Sequence, residues 1–356
     1  MEHKQQIAWI NGAKFVAILA VMTDHTNGKL YTNQDIAYVS YFSVSLFVIL
    51  SGMTSYLADV QHTANWKEIV RSCKKILTAY CIAVVVYMIV KTHGFDFSVY
   101  LHYLVYFNIS GPHYFVLLYI QLMFANGFLF NLLQKCPKSK RGYIYEALIM
   151  MGIIILSIWT TNYTNILDVY GGGGKLFGGT YLILFYFGML VMRHGWLENT
   201  TIIKSTIAFI LPGILWFIVW RYVCWNGLKL DSYMPFGTGF NPPGITFMIF
   251  GLCMLFITFG MFTLSEQINY MKKAALFVCD LGRHSLYIFL YHRLILDYLL
   301  VPYMLGLIFK NIWLARVVYF SLMIAGSILI EIMIVNLQKA IKWVFVSDKD
   351  NITANT

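Results

Sequence analysis

Lys14 and His25 are the pair in this sequence whose residue types and spacing most directly suggest chemistry. Eleven residues at about 100° each amount to three turns plus about 20°, so on a continuous helix both side chains lie on one face, about 16 Å apart along the axis. An imidazole titrates near neutrality and can take the proton from a hydroxyl or carry a group in transit. A fixed cation on the same face can hold an anion or offset developing negative charge where water is scarce. The plain reading of the same residues is a lysine that extends to lipid headgroups and a histidine that closes the far end of the helix. Asp24 lies about 100° around the helix from His25, so a direct orienting contact requires the helix to fray there.

Other constellations carry weaker signals. Arg71, Lys74 and Lys75 could bind phosphates, or could simply mark the cytoplasmic end of a membrane span. Ser285 and His292 are seven apart and share a stripe, with Arg283 roughly opposite His292; buried polar packing explains them equally well. Gly111-Pro112-His113-Tyr114 starts a helix, which accounts for everything in it except His113. Ser43, Ser45, Ser51 and Gly52 are small residues suited to close helix packing. The glycine run 171–174 before Lys175 lacks the glycine a phosphate loop needs at Val169 and has Leu176 after the lysine, so it reads as a flexible external loop. The six cysteines form no C-x-x-C and lie mostly in apolar runs, which points to buried hydrophobes, with neither a disulfide framework nor a metal site.

The elements that must position these residues are membrane helices. Of 356 residues, 59% are hydrophobic and 12% charged, with a mean hydropathy of +0.66, whereas soluble domains carry about 25% charged residues. That composition excludes an ordinary soluble protein, and the net charge of +10 has to be read by position rather than as a nucleic-acid signal. Apolar runs of spanning length cover 9–23, 36–57, 75–90, 114–133, 143–160, 176–192, 202–225, 244–264, 274–298 and 312–337. The expected fold is therefore all-α, a polytopic membrane protein of about ten transmembrane helices. With alternate loops assigned to opposite sides, 16 of the 26 Lys and Arg residues fall on one side and 6 on the other, which places both termini in the cytoplasm. Lys14 interrupts the first run and no small-residue cleavage site follows, so that run reads as an uncleaved span. Nothing divides the chain, which reads as a single domain over 1–345 with a short cytoplasmic tail over 346–356.

These residues, taken together, resemble the integral-membrane acyltransferase-3 family, whose members O-acylate exported sugars and related acceptors. Lys14, ten residues and His25 resemble the family's first-span Arg/Lys-x10-His hallmark. Ser45-Leu46-Phe47-Val48-Ile49-Leu50-Ser51-Gly52-Met53 is similar to its second-span FFxLSGF segment. The stretch 71–80 resembles the basic start of the third span, His113-Tyr114-Phe115 the entry to the fourth, and 281–292 a late L-G-x-x-S-Y-x-x-Y-L-x-H element. Departures include Asn11 for a common Asp, Lys14 and Lys75 for arginines, Thr78 for Pro, Phe115 for Trp and Tyr291 for Leu.

The resemblance implies an O-acyltransferase, most simply an O-acetyltransferase, with no permanently bound cofactor and acetyl-CoA or another acyl-CoA as donor substrate. It implies a saccharide or lipid-linked glycan acceptor, membrane lipid as a partner, no nucleic acid, and a multi-pass location in a bacterial cytoplasmic membrane; homo-oligomerisation stays open. His25 would be general base or transient acyl carrier, with Lys14 beside it. Arg71, Lys74, Lys75 and Arg283 would bind donor, and Asp24, His113, Ser285 and His292 would orient His25 or bind acceptor. A transporter or flippase for a small metabolite or glycolipid would also bury ionisable groups, but neither a repeat nor paired broken helices are evident. A non-catalytic sensor would tolerate loss of His25.

Overall fold

A computed structural model of the protein describes residues 2–62, 66–163, 179–198, 201–237, 239, 241–300 and 312–353. Every named element among them is helical: α1 (Glu2–Thr26), α2 (Gln34–Val39), α3 (Ser43–His62), α4 (Trp66–Thr92), α5 (Phe97–Tyr106), a 3-10 turn (Gly111–His113), α6 (Tyr114–Lys135), α7 (Lys140–Tyr163), α8 (Gly179–Arg193), α9 (Ile202–Asn226), α10 (Lys229–Ser232), α11 (Ile245–Gln267), α12 (Asn269–Arg283), α13 (Ser285–Leu294), a π-helical turn (Ile295–Leu300) and α14 (Ile312–Thr353). Among the described residues, seven stretches are long and apolar enough to cross a membrane: 34–61, 66–91, 111–135, 140–162, 202–226, 245–267 and 314–340. Helix α8 is apolar but shorter, at 15 residues. Helix α1 has spanning length, and the polar residues it carries, Lys14 and Asp24 among them, set it apart from the seven. The glycine run 171–174 lies outside the described residues.

Two of the expected spans are interrupted. The run 36–57 is divided between α2 and α3, because Ser40 turns back: its N–H and hydroxyl both donate to the Ala37 carbonyl, the hydroxyl at 2.7 Å, which ends α2 before the longer helix begins. The run 274–298 is three pieces, since His284 takes a non-helical conformation (φ −90°, ψ 4°) between α12 and α13, and the chain then widens into the π turn.

The chain forms two compact units, Met1–Arg283 and His284–Thr356. In the first, α3 and α8 form the centre, α1 packs along α12 and against α3 and α11, α11 packs against α9, α7 covers α8, and α4 packs on α5 and α6. Lipid offers no hydrophobic drive between helices, so close approach depends on small residues. A Cβ on Gly52 of α3 would run into the Phe185 carbonyl oxygen of α8, and a Cβ on Gly188 of α8 into the Ile49 carbonyl oxygen of α3. These reciprocal glycines allow the two backbones to touch. Ser45, also on α3, meets Gly251 of α11 in the same way, and Gly282 of α12 lies on the backbone of Asn11, which fixes α1 against α12. Helix α9, by contrast, has only 6% of its apolar window buried within the protein and presents its surface outward. In the second unit α13 and the π turn pack on α14, a helix of 42 residues.

Candidate functional site

Helix α1 runs without interruption from Glu2 to Thr26, so Lys14 and His25 do lie on one face, separated by three turns. Lys14, Asp24 and His25 are all half-buried. The Lys14 ammonium has no charged partner among the described residues, and it stands in a bundle where its neighbours at Ala13, Phe15, Ala17 and Ile18 are buried. A cation held in this way is suited to an anionic group or a polarised oxygen brought by a ligand. Because the helix does not fray before Thr26, Asp24 and His25 project in different directions. Asp24 instead lies within electrostatic reach of the Tyr41 and Tyr114 hydroxyls.

Tyr114 in turn belongs to a hydrogen-bonded chain. Tyr114, first residue of α6, bonds through its hydroxyl to that of Tyr181 on α8, and Tyr181 donates to Oδ1 of Asn241 in the segment before α11. Tyr41 is stacked on Phe247 at 4.6 Å and receives a hydrogen bond from the Gln34 amide at 3.3 Å. The segment itself is fixed at two points. Thr180 donates to the Pro243 carbonyl at 2.5 Å, and the fully buried Asp231 accepts from the Thr246 N–H at 2.8 Å, capping the start of α11. Burial pushes the Asp231 carboxyl above the usual carboxylate range, against the pull of its bonds to Thr246.

The remaining candidates are distributed elsewhere. His113 is fully buried and boxed edge-on by Tyr80 at 5.5 Å and Tyr87 at 5.2 Å, both on α4. Tyr80 donates to the Tyr103 carbonyl and stacks on Phe107, so His113 helps tie α4, α5 and α6 together. Arg71, Lys74 and Lys75 sit on the exposed face of α4, where Arg71 is bonded to Glu68 at 2.7 and 2.9 Å. Arg283 is exposed at the end of α12 and paired with Asp280 at 3.1 Å. In the second unit Ser285 is half-buried, while His292 is buried with Nδ1 at 2.9 Å from the carbonyls of both Ile288 and Phe289. Two acceptors at Nδ1 assign a hydrogen to that nitrogen. His284, adjacent to Ser285, bonds Glu331 of α14 at 2.6 Å.

Sequence reasoning passed over two clusters. One is the Tyr114–Tyr181–Asn241 chain. The other is a buried charge cluster: Glu146 of α7 binds Arg193 Nε at 2.5 Å and His194 Nε2 at 2.7 Å, while Arg193 also donates to the Cys136 carbonyl at 2.6 Å. The His194 ring is stacked between Tyr143 and Trp196. Arg193 counts as a loop charge in the sequence, yet its side chain is 2% exposed and clamps α8 to α7. The described residues contain no group of three or more potential metal ligands.

An all-helical membrane protein with an ionisable pair on one inner helix face is the architecture of a membrane-embedded enzyme or carrier, and comparison with known families decides between them. Residues 7–332 match the family model described as an acyltransferase domain, so the chain belongs to the acyltransferase-3 family of membrane acyltransferases. No curated protein and no solved structure matches the chain at a significant level.

Proposed function

We propose that the protein transfers an acyl group, acetyl in the simplest case, from a cytoplasmic acyl-CoA to a hydroxyl of a saccharide or lipid-linked glycan at the external face of a cell membrane. Family membership supports acyl transfer. The observation that carries the rest is the unbroken α1, which holds a cation without a charged partner and an imidazole on one face about 16 Å apart. His25 removes the acceptor hydroxyl proton as the hydroxyl oxygen bonds to the thioester carbonyl carbon. The carbon–sulfur bond then breaks, and the departing thiolate takes the proton back from the imidazolium. A variant of the same chemistry passes the acyl group through His25 itself. Lys14 holds donor phosphate or the developing oxyanion. Arg71, Lys74, Lys75 and Arg283 then serve the CoA moiety at the cytoplasmic surface, and Asp24 stands on the acceptor side.

The test is acyl transfer from radiolabelled acetyl-CoA by detergent-purified protein, with and without a pool of lipid-linked glycans. Label should enter glycan with wild type and not with His25→Ala or Lys14→Ala. Absence of turnover across several acyl-CoA donors by well-folded protein would reject the reading.

A further inference from the structure

We propose that the cavity between α9, α11 and the segment that follows α8 binds a zwitterionic phospholipid whose headgroup carries a phosphate and a primary ammonium. The cavity has a volume of about 300 Å³, and none of its lining residues serves acyl transfer. Lys204, Ile207 and Ala208 are spaced to share one face of α9, as Phe256 and Phe259 are on α11, and all five line it. Trp196 and Glu198 line it from the segment after α8. The walls are held from behind. Glu146 bonds the His194 ring at 2.7 Å, and that ring stacks on Trp196 with centroids 5.6 Å apart and planes 16° apart. Phe259 is buried and meets Trp9 of α1 edge-on at 5.2 Å. A cavity supported in this way is formed before a ligand arrives.

The chemistry of the ligand follows from the two charges at the start of α9. Lys204 and Glu198 are exposed, and neither is in an ion pair among the described residues. Lys204 lies in the first turn of α9, where the helix N-terminus adds partial positive charge. Ala208 is one turn, about 6 Å, further along the same face, and there the lining is apolar. A phosphate is drawn to Lys204 and an ammonium to Glu198, while an acyl chain follows Ile207, Ala208 and Phe256. A headgroup without an amine leaves Glu198 unanswered, and a quaternary ammonium has no N–H to donate to it. Only 6% of the apolar window of α9 is buried within the protein, so a lipid reaches the cavity along that helix without leaving the bilayer.

Equilibrium binding of dihexanoyl phosphatidylethanolamine, phosphatidylcholine and phosphatidylglycerol to the detergent-purified protein tests this without requiring turnover. Wild type should prefer the ethanolamine lipid by about fivefold, the upper end for an exposed charge pair. Glu198→Gln should remove that preference, and Lys204→Met should weaken all three lipids by about fivefold. Ala208→Leu narrows the apolar part of the cavity and should weaken the ethanolamine lipid to a similar extent. Thermal unfolding of each variant separates loss of fold from loss of binding, and the two exposed charge substitutions retain the test if Ala208→Leu fails to fold. Wild type that binds no lipid or binds all three equally, or variants that bind as wild type does, would overturn the assignment. Displacement of the ethanolamine lipid by acetyl-CoA would overturn it too, since the cavity would then belong to the thioester donor.

Discussion

His25 and Lys14 differ in what their loss should do. Removing a general base costs about 100- to 10,000-fold in rate, so His25→Ala should lose at least 100-fold in acetyl transfer with unchanged thermal unfolding. A cation that holds an oxyanion or phosphate can be replaced in kind, so Lys14→Arg should recover most of the activity that Lys14→Ala loses; equal losses in the two would mean that the ammonium is not acting by charge. Glu146 belongs to a different category. With its side chain 5% exposed and bonded to Arg193 and His194, it neutralises charge that would otherwise be buried alone. Breaking such a pair typically costs about 3–5 kcal/mol, and Glu146→Ala should lower the unfolding midpoint sharply, whereas a midpoint within a degree of wild type would show the cluster to be dispensable.

At the scale of elements, close packing and caps decide the outcome. Gly52→Val should push α3 off α8, because the added carbon meets the Phe185 carbonyl rather than a flexible side chain; overpacking costs about 1–3 kcal/mol or more, visible as lost thermal stability with no change at the sites themselves. Asp231 gives a pH signature. Its folded carboxyl titrates above its unfolded value, so the fold prefers the protonated form: its contribution is greatest below the unfolded pKa and declines as pH rises through the folded one. Asn mimics the neutral form and keeps the oxygen that caps Thr246. Stability of Asp231→Asn relative to wild type should therefore rise from pH 4 toward neutrality, and a flat difference would show that the carboxyl titrates normally. The sequence made the helices legible, since runs such as 202–225 and 244–264 have no other use, and the small residues of α3 announced its close contacts. It concealed the breaks at Ser40 and His284, because a hydroxyl that turns back on its own helix and a single non-helical residue leave no trace in hydropathy. It concealed the tyrosine chain for another reason: Tyr181 and Asn241 are 60 residues apart, and each tyrosine alone looks like an ordinary interfacial residue. Arg193 was hidden likewise, as a loop cation is read for sidedness and Glu146, its buried partner, is 47 positions away.

Across the whole molecule, the chemistry depends on sidedness. Thioester donors are made in the cytoplasm, so an acceptor outside requires the acyl group to cross a hydrocarbon layer about 30 Å thick. Helix α1 has 25 residues, about 37 Å of helix, and Lys14 lies near its middle with His25 in its last turn. If the Lys- and Arg-rich loops face the cytoplasm, His25 is in the outer half of the membrane and the α4 cations are at the inner surface, which matches the sides of the proposed acceptor and donor. This arrangement can be measured directly. Asn108 and Ser139 are both exposed and lie in loops that the charge distribution assigns to opposite sides. In a background free of the six native cysteines, Asn108→Cys should react with a membrane-impermeant maleimide in intact cells, and Ser139→Cys only after permeabilisation. The reverse pattern would put His25 at the cytoplasmic face. Donor and acceptor would then have to meet at the cytoplasmic face, and transfer to an acceptor on the external side would be rejected.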